Sequence, residues 1–275
     1  MDIHPSAWQI LEIVKNGCYE SAAGARVSIA GPQKAAMEST EIFRPDDLDA
    51  LFASGEGETN GRLAEVSVID ATTTDAAKDL GERHGDVVLL NFASARNPGG
   101  GFLGGARAQE EELCRCSGLY SCIERMTDYY EVNRANRSAL YTDHMIYSRS
   151  VPFFRTAEKA PLLDVPYLAS VITAPAPNAG AILRNTPEVT SQIAEVFSRR
   201  WRNVLLVAAK HEHRTLVLGA WGCGAFRNDP EVAARTASEW VRSPRFAGAF
   251  DRVVFAIPSF GRSRDNLEAF RRVLG

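Results

Sequence analysis

With 275 residues, 45% of them hydrophobic, the chain has material for one large domain or two small ones, which excludes disorder as its main state. Its 31 basic and 34 acidic residues leave a formal charge of −3, so no global field draws it to a nucleic-acid backbone or an anionic membrane. An anionic ligand must therefore be held locally.

Residues 1–17 intersperse Asp2, His4, Glu12 and Lys15 among apolar positions and carry no secretion-signal core. Trp8, Leu11 and Val14 recur at helical spacing ahead of Gly17 and predict an opening helix with those residues on its apolar face. A second short helix is expected over 46–52, with loop between the two. The Gly-, Ser- and Glu-rich stretch 53–62 reads as an exposed connection, giving an N-terminal helical extension over 1–63 and a main domain over 64–275.

From residue 64, β-branched runs alternate with capped helical patterns: a strand over 65–69, a helix over 72–81 opened by the Thr72 and Asp75 capping spacing, and a strand over 87–92. A helix follows from Gln109, with Leu113, Cys116, Tyr120 and Ile123 at its spacing. Strands are expected over 171–174, 216–220 and 252–257, with a long helix over 187–210, another begun by Asp229 and Pro230, and a closing one over 263–274. The alternation implies a sheet covered by helices on both faces, which binds ligands beyond the carboxyl ends of its strands. No run approaches the roughly 18 apolar residues of a membrane span. The five cysteines, three of them at 114, 116 and 122, fit neither a disulfide framework nor a paired CxxC zinc site, so reduced thiols in the cytoplasm are expected.

Two glycine-rich segments fall just after strands. The first, ending Asn97-Pro98-Gly99-Gly100-Gly101, is followed seven residues later by Gln109-Glu110-Glu111-Glu112 at a helix start. Adjacent glycines suit positive φ or a ligand against the main chain, or simply a turn. Acids in a first helical turn complement the helix dipole, worth roughly 0.3–1 kcal/mol, but they also meet the needs of glycosidic cleavage, where a carboxylic acid protonates the departing oxygen. Successive helical residues lie about 100° apart, so at most two of the three glutamates serve one ligand and the third is solvated. The second segment, Gly219-Ala220-Trp221-Gly222-Cys223-Gly224-Ala225-Phe226, offers backbone N–H groups near a helix start, an anion cradle suited to a diphosphate. It lacks the endings of a P-loop or a Rossmann fingerprint.

Gly-Gly-Gly, seven residues, then Gln-Glu-Glu resembles the signature of the bacterial-type poly(ADP-ribose) glycohydrolases of the macrodomain superfamily. The similarity extends over 91–101, 171–178 and 219–230. The resemblance implies a macrodomain-like three-layer α/β/α fold with a mixed sheet, and an enzyme that cleaves the ribose–ribose O-glycosidic bonds of poly(ADP-ribose) from chain ends to release ADP-ribose, with ADP-ribosylated proteins as partners and a place in the DNA damage response. It implies Glu111 as catalytic acid, Glu110 holding the distal ribose and Gln109 supporting them. Gly99, Gly100 and Gly101 would line the distal ribose and pyrophosphate, Asn97 would touch a ribose, Gly222, Cys223, Gly224 and Ala225 would bind the diphosphate, and Phe226 would pack on the ribose. No metal or cofactor is implied. A non-catalytic reader of terminal ADP-ribose and a mono-ADP-ribosyl hydrolase are the alternatives; a reader has no need of the glutamate pair.

Other features are ambiguous on sequence alone. Asp70 either reads an adenine amino group or caps the following helix. His211 and His213 read as a helix-terminus feature rather than a metal site. Cys223 reads as a small residue in a tight turn, Tyr129 and Tyr130 as packing with Arg134 and Arg137 on a solvated face, and Phe153, Phe154 and Trp201 as core.

Overall fold

The computed structural model describes residues 3–55, 61–260 and 263–275. In chain order its elements are α1 (Pro5–Asn16), β1 (Cys18–Glu20), β2 (Arg26–Ser28), α2 (Ala30–Glu38), β3 (Glu41–Phe43), α3 (Pro45–Ala53), β4 (Glu65–Ile69), α4 (Thr73–His84), β5 (Val88–Phe92), α5 (Gln109–Cys116), α6 (Leu119–Ile123), α7 (Thr127–Ala135), β6 (Met145–Phe153), β7 (Tyr167–Ala174), α8 (Ala179–Asn185), α9 (Ile193–Lys210), β8 (Thr215–Leu218), α10 (Pro230–Val241), β9 (Arg252–Ala256) and α11 (Ser263–Leu274).

Seven strands form one mixed sheet in the order β3-β6-β7-β5-β8-β9-β4. From β7 to β4 they run parallel, while β6 is antiparallel to both β7 and β3. Alternate residues go to opposite cores, as the two-residue period of a strand requires. Val88, Leu90, Leu216, Leu218, Val253 and Phe255 join Trp201, Phe197 and Trp221 on the face covered by α3, α9, α10 and α11. Leu89, Val217, Val254 and Val171 face α1, α4, α5, α6 and α7. The result is the expected α/β/α sandwich, with both glycine-rich loops leaving the carboxyl ends of parallel strands.

Helix starts follow their caps. The Thr72 hydroxyl accepts the Asp75 N–H at 3.1 Å, and the Asp229 carboxylate accepts the Glu231 N–H at 2.8 Å with Pro230 in the first turn.

Several expectations are corrected. The buried face of α1 is Ala7, Ile10 and Ile13, while Trp8 is 55% exposed, because the helix packs against α5 through its smaller stripe. The stretch between the first two helices holds the β1–β2 hairpin, α2 and β3, whose three-residue strands are too short for a period to show. β3 pairs with β6, so the first 63 residues contribute an edge strand to the main sheet. The connection expected at 53–62 lies partly outside the described residues. The helix from Gln109 breaks at Ser117, whose backbone is extended and bridges to Phe153 before α6 begins. The long helix opens as a 3-10 turn, Pro187–Gln192, and becomes α-helical only at Ile193. Among the described residues no helix is long and apolar enough to cross a membrane.

Candidate active site

The site begins where two parallel strands separate. β5 pairs with β8 only through Val88 and Leu89, which would leave the next ladder groups of β5 unpaired. The Gln109 side-chain amide takes them: its Oε1 accepts the Phe92 N–H at 2.9 Å and its Nε2 donates to the Leu90 carbonyl at 2.8 Å. One amide thus acts as a short piece of strand and fixes the start of α5 to the end of β5.

The three glutamates then diverge as helical geometry dictates. Glu110 is 3% exposed; its Oε2 accepts the Ser94 N–H at 2.7 Å and its Oε1 accepts Asn91 Nδ2 at 3.3 Å. Burial pushes its carboxyl up to about 8, against the pull of the Ser94 and Asn91 hydrogen bonds and with help from neighbouring Glu111. Glu111, 7% exposed, accepts the Gly101 N–H at 2.8 Å through Oε1. Among the described residues its second oxygen has no hydrogen-bond donor. Glu112 is not solvated as expected: half-buried, it turns away from the loop and accepts the Glu158 N–H at 2.7 Å.

Glycines let the loop close over these acids. Gly100 has φ +60°, and a Cβ there would collide with the Glu111 carboxylate and come within 3.0 Å of Glu110 Oε2. Gly99, at φ +64°, would run into the Tyr120 ring. Asn97 is exposed on the same loop; its N–H donates to Ser94 Oγ at 3.1 Å and its carbonyl accepts the Gly100 N–H at 3.0 Å.

The far end of the loop is tied to the N-terminal segment. The His4 N–H donates to the Leu103 carbonyl at 2.8 Å, and the His4 ring lies against Gly105. Arg115, 1% exposed, donates to the Ala106 carbonyl at 2.7 Å and to Ser6 Oγ at 3.2 Å.

The second loop presents unpartnered backbone donors. Gly222 sits at φ +73°, its carbonyl accepting the Asn228 N–H at 3.2 Å and Asn228 Nδ2 at 2.9 Å. Among the described residues the N–H groups of Gly222, Gly224, Ala225 and Phe226 have no protein acceptor. Four donors in five residues beside a helix start suit a diphosphate. Burial, aided by Asp229, pushes the Cys223 thiol up to about 12, and its Sγ lies 3.5 Å from the Trp221 carbonyl, so it is a turn residue and no thiolate. Phe226 is half-buried against the core with its ring 6.0 Å from that of Tyr141.

Asp70 does not cap α4, since Thr72 does; it is exposed and accepts the Ser259 N–H at 2.8 Å, and bonding to Ser259 holds its carboxyl below the usual range. The two histidines lie at the opposite end of the sheet. His213 Nε2 is 2.7 Å from the Tyr147 hydroxyl and its Nδ1 meets Asp86. Tyr129 and Tyr130 are fully buried, as are Phe153, Phe154 and Trp201. Among the described residues no cluster of three or more His, Cys, Asp or Glu side chains could hold a metal ion.

Sequence reading missed Asn91 and Ser94 as holders of Glu110. A fully buried asparagine in an otherwise apolar strand is the signal that could have found Asn91.

A family profile described as "Microbial-type PARG, catalytic domain" matches residues 7–156. The chain belongs to the microbial-type PARG family. Among solved PARG structures, that of poly(ADP-ribose) glycohydrolase from Thermomonospora curvata is 40% identical, with 98% of each chain covered and a TM-score of 0.92. The same enzyme bound to the inhibitor ADP-HPD is 41% identical over 97% of each chain, with a TM-score of 0.87. The PARG of Deinococcus radiodurans in complex with ADP-ribose is 46% identical, covering 90% of this chain and 98% of its own, with a TM-score of 0.83. Curated protein sequences give no match. The residues matched by the PARG profile and the strands of the seven-stranded sheet both lie on either side of residue 63.

Proposed function

We propose that this chain is a poly(ADP-ribose) glycohydrolase that cuts ribose–ribose O-glycosidic bonds from chain ends and releases ADP-ribose, with Glu111 as the proton donor. Membership of the PARG family and the likeness to PARG structures holding ADP-ribose and ADP-HPD support the activity. The observation that favours Glu111 over its neighbour is its free oxygen. Glu110 has both oxygens engaged by Ser94 and Asn91, whereas Glu111 spends only one on Gly101.

In this reading Glu111 donates its proton to the ribose oxygen of the unit that stays behind, and the C–O bond breaks with its electron pair on that oxygen. Water adds its hydroxyl to the anomeric carbon and returns a proton to Glu111, so one water is consumed and the acid is regenerated. Glu110, neutral near pH 7 because burial raises it to about 8, holds the distal ribose without adding a negative charge. The free N–H groups of Gly222, Gly224, Ala225 and Phe226 take the diphosphate, whose charge offsets the cationic transition state. Gly99 to Gly101 line the distal ribose and pyrophosphate, Asn97 contacts a ribose, and the Phe226 ring packs on the sugar.

The 1–63 segment serves as an extension whose first helix props the sugar loop through His4 and Ser6. ADP-ribosylated proteins supply the polymer. Free cysteines, three of them buried, fit a cytoplasmic setting.

The test is release of free ADP-ribose from purified polymer by wild type and by Glu111→Gln. Release that survives undiminished in Glu111→Gln would remove Glu111 from this role, and binding without release in wild type would leave a reader instead. Long free oligomers among the earliest products would contradict end-wise action.

A further inference from the structure

Hydrolysis of a ribose–ribose bond leaves part of the substrate outside the terminal pocket: the adenosine whose ribose oxygen departs, and its diphosphate. That group offers a purine face and negative charge, and it must lie next to the acid pair and the loop that covers it. Tyr141 and Arg96 meet there.

Tyr141 lies between the two functional loops. On one side its ring is 6.0 Å from that of Phe226 in the diphosphate loop; on the other the Arg96 guanidinium stands over it, 5.9 Å from its centroid. Arg96 is exposed but its backbone is pinned. Its N–H donates to Ser94 Oγ at 3.3 Å, and its carbonyl accepts Arg134 Nη1 at 2.7 Å. Ser94 is the residue whose N–H holds Glu110, so Arg96 is fixed two residues along the chain from the backbone group that binds that acid.

The backbone beneath the ring is held as firmly. Tyr141 is a non-glycine residue at φ +61°, a conformation that persists only where its surroundings impose it. They do so from both sides. The fully buried Arg200 donates to the Leu140 carbonyl at 2.6 Å, and the Thr142 N–H donates to Asn133 Oδ1 at 2.9 Å. Asn178 adds two bonds, its N–H to the Ala139 carbonyl at 2.9 Å and its Nδ2 to the Tyr141 hydroxyl at 3.5 Å. Core packing does not account for this arrangement, because the half-buried ring belongs to neither hydrophobic core.

We propose that Tyr141, with Arg96 and Arg134, forms a subsite for the leaving nucleotide of the polymer, the ring stacking on the adenine and the two guanidinium groups meeting the diphosphate that follows it. The subsite rests on the glycohydrolase reading above and adds to it the part of the substrate that is not released as ADP-ribose. Base–aromatic stacking is tolerant of orientation and needs only a presented face, and cationic contacts to a diphosphate make binding fall with salt.

The experiment compares Tyr141→Ala, Tyr141→Phe and Arg96→Ala with wild type by initial rates of ADP-ribose release from long polymer, and by calorimetric binding of ADP-ribose itself. Tyr141→Ala is expected to raise the polymer KM about tenfold while the ADP-ribose Kd stays within about twofold, and Tyr141→Phe, which restores the ring, to recover most of that loss. Arg96→Ala, a surface change that leaves the fold intact, is expected to raise KM and flatten its dependence on salt. An unchanged polymer KM in Tyr141→Ala or Arg96→Ala overturns the proposal, and so does a parallel loss of ADP-ribose affinity, which would put Tyr141 in the terminal pocket. A wild-type protein that releases no ADP-ribose would instead refute the glycohydrolase reading.

Discussion

Arg115 lies one helical turn beyond Glu111, and the two side chains hold opposite ends of one short loop: Glu111 accepts the Gly101 N–H, and Arg115 donates to the Ala106 carbonyl. The ends are themselves joined, since the Ala106 N–H donates to the Gly101 carbonyl at 3.1 Å. The sugar loop is therefore clamped from a single helix, and the Arg115 bond to Ser6 extends the clamp to α1.

Removing that guanidinium while keeping its bulk tests the clamp. In Arg115→Met the Ala106 carbonyl and Ser6 hydroxyl lose their donor, and Glu158, 3.7 Å from Arg115 Nε, loses a charge partner. Leaving these part-buried groups without their donor costs about 1–3 kcal/mol. Urea unfolding is expected to show a loss of that size, and ADP-ribose release is expected to fall further than the unfolded fraction explains.

A methyl group on the inner side of the loop is a sharper probe. Gly100→Ala places a Cβ against both glutamates and holds alanine at φ +60°, for which left-handed backbone alone costs about 1–2 kcal/mol. Displacing a reacting group by around 1 Å costs on the order of a hundredfold in rate. Release of ADP-ribose should fall by about that factor with the melting transition still cooperative. Near-normal activity would mean that Gly100 does not set the position of the acids.

What the sequence disclosed about this site was its local part. Gln109, Glu110 and Glu111 sit beside the glycines along the chain, and their directions follow from helical spacing. Asn91, Ser94 and Tyr141 act through contacts across the fold, which no local pattern encodes. The same division holds for the architecture. β5, β8 and β9 read clearly because buried parallel strands are nearly continuous apolar runs. β6 did not, because Ser148, Arg149 and Ser150 interrupt it at a bulge where Ser150 takes φ +49°. In α1 Trp8 outweighs Ala7 in hydrophobicity, yet packing against α5 buries the smaller residue and leaves Trp8 exposed.

Glu110 gives stability a pH dependence of definite sign. Its folded carboxyl titrates near 8, above the 4.5 of an unperturbed glutamate, so between those values the folded state binds more protons than the unfolded one and stability falls as pH rises. Glu110→Gln imitates the protonated form and removes this contribution. Urea unfolding from pH 4.5 to 8 should show wild type and variant nearly equal at the acid end, with the variant gaining on the order of a few kcal/mol toward the alkaline end. Parallel curves would mean that Glu110 is ionised throughout.

His211 produces the opposite slope. Burial, with His213 and Lys210 nearby, pushes it down from 6.5 to about 4, and the Glu41 carboxylate 3.3 Å from its Nε2 is out of line for a hydrogen bond. Between those values the unfolded chain binds the extra proton, so stability falls as pH drops. His211→Phe keeps a ring stacked on Tyr147, whose centroid is 3.7 Å away, and removes the proton site. Its unfolding free energy should fall less than that of wild type between pH 6.5 and 4, by on the order of 1–3 kcal/mol.

Gln109 joins the fold to the chemistry most directly, because it occupies the gap between β5 and β8 and also begins the helix that carries both acids. In Gln109→Ala the Leu90 carbonyl and Phe92 N–H lose their partners, and Nε2 no longer reaches Thr73 Oγ1, 3.3 Å away. Two unsatisfied backbone groups near the core cost about 2–4 kcal/mol in unfolding free energy. Among the described residues, the side-chain bonds still joining the first turn of α5 to β5 and the loop after it would be those of Glu110 to Asn91 and Ser94. Activity is therefore expected to fall through kcat, with ADP-ribose still held by the diphosphate loop. A loss confined to ADP-ribose affinity, measured by calorimetry on the folded variant, would place Gln109 in ligand binding and not in support of the acid pair.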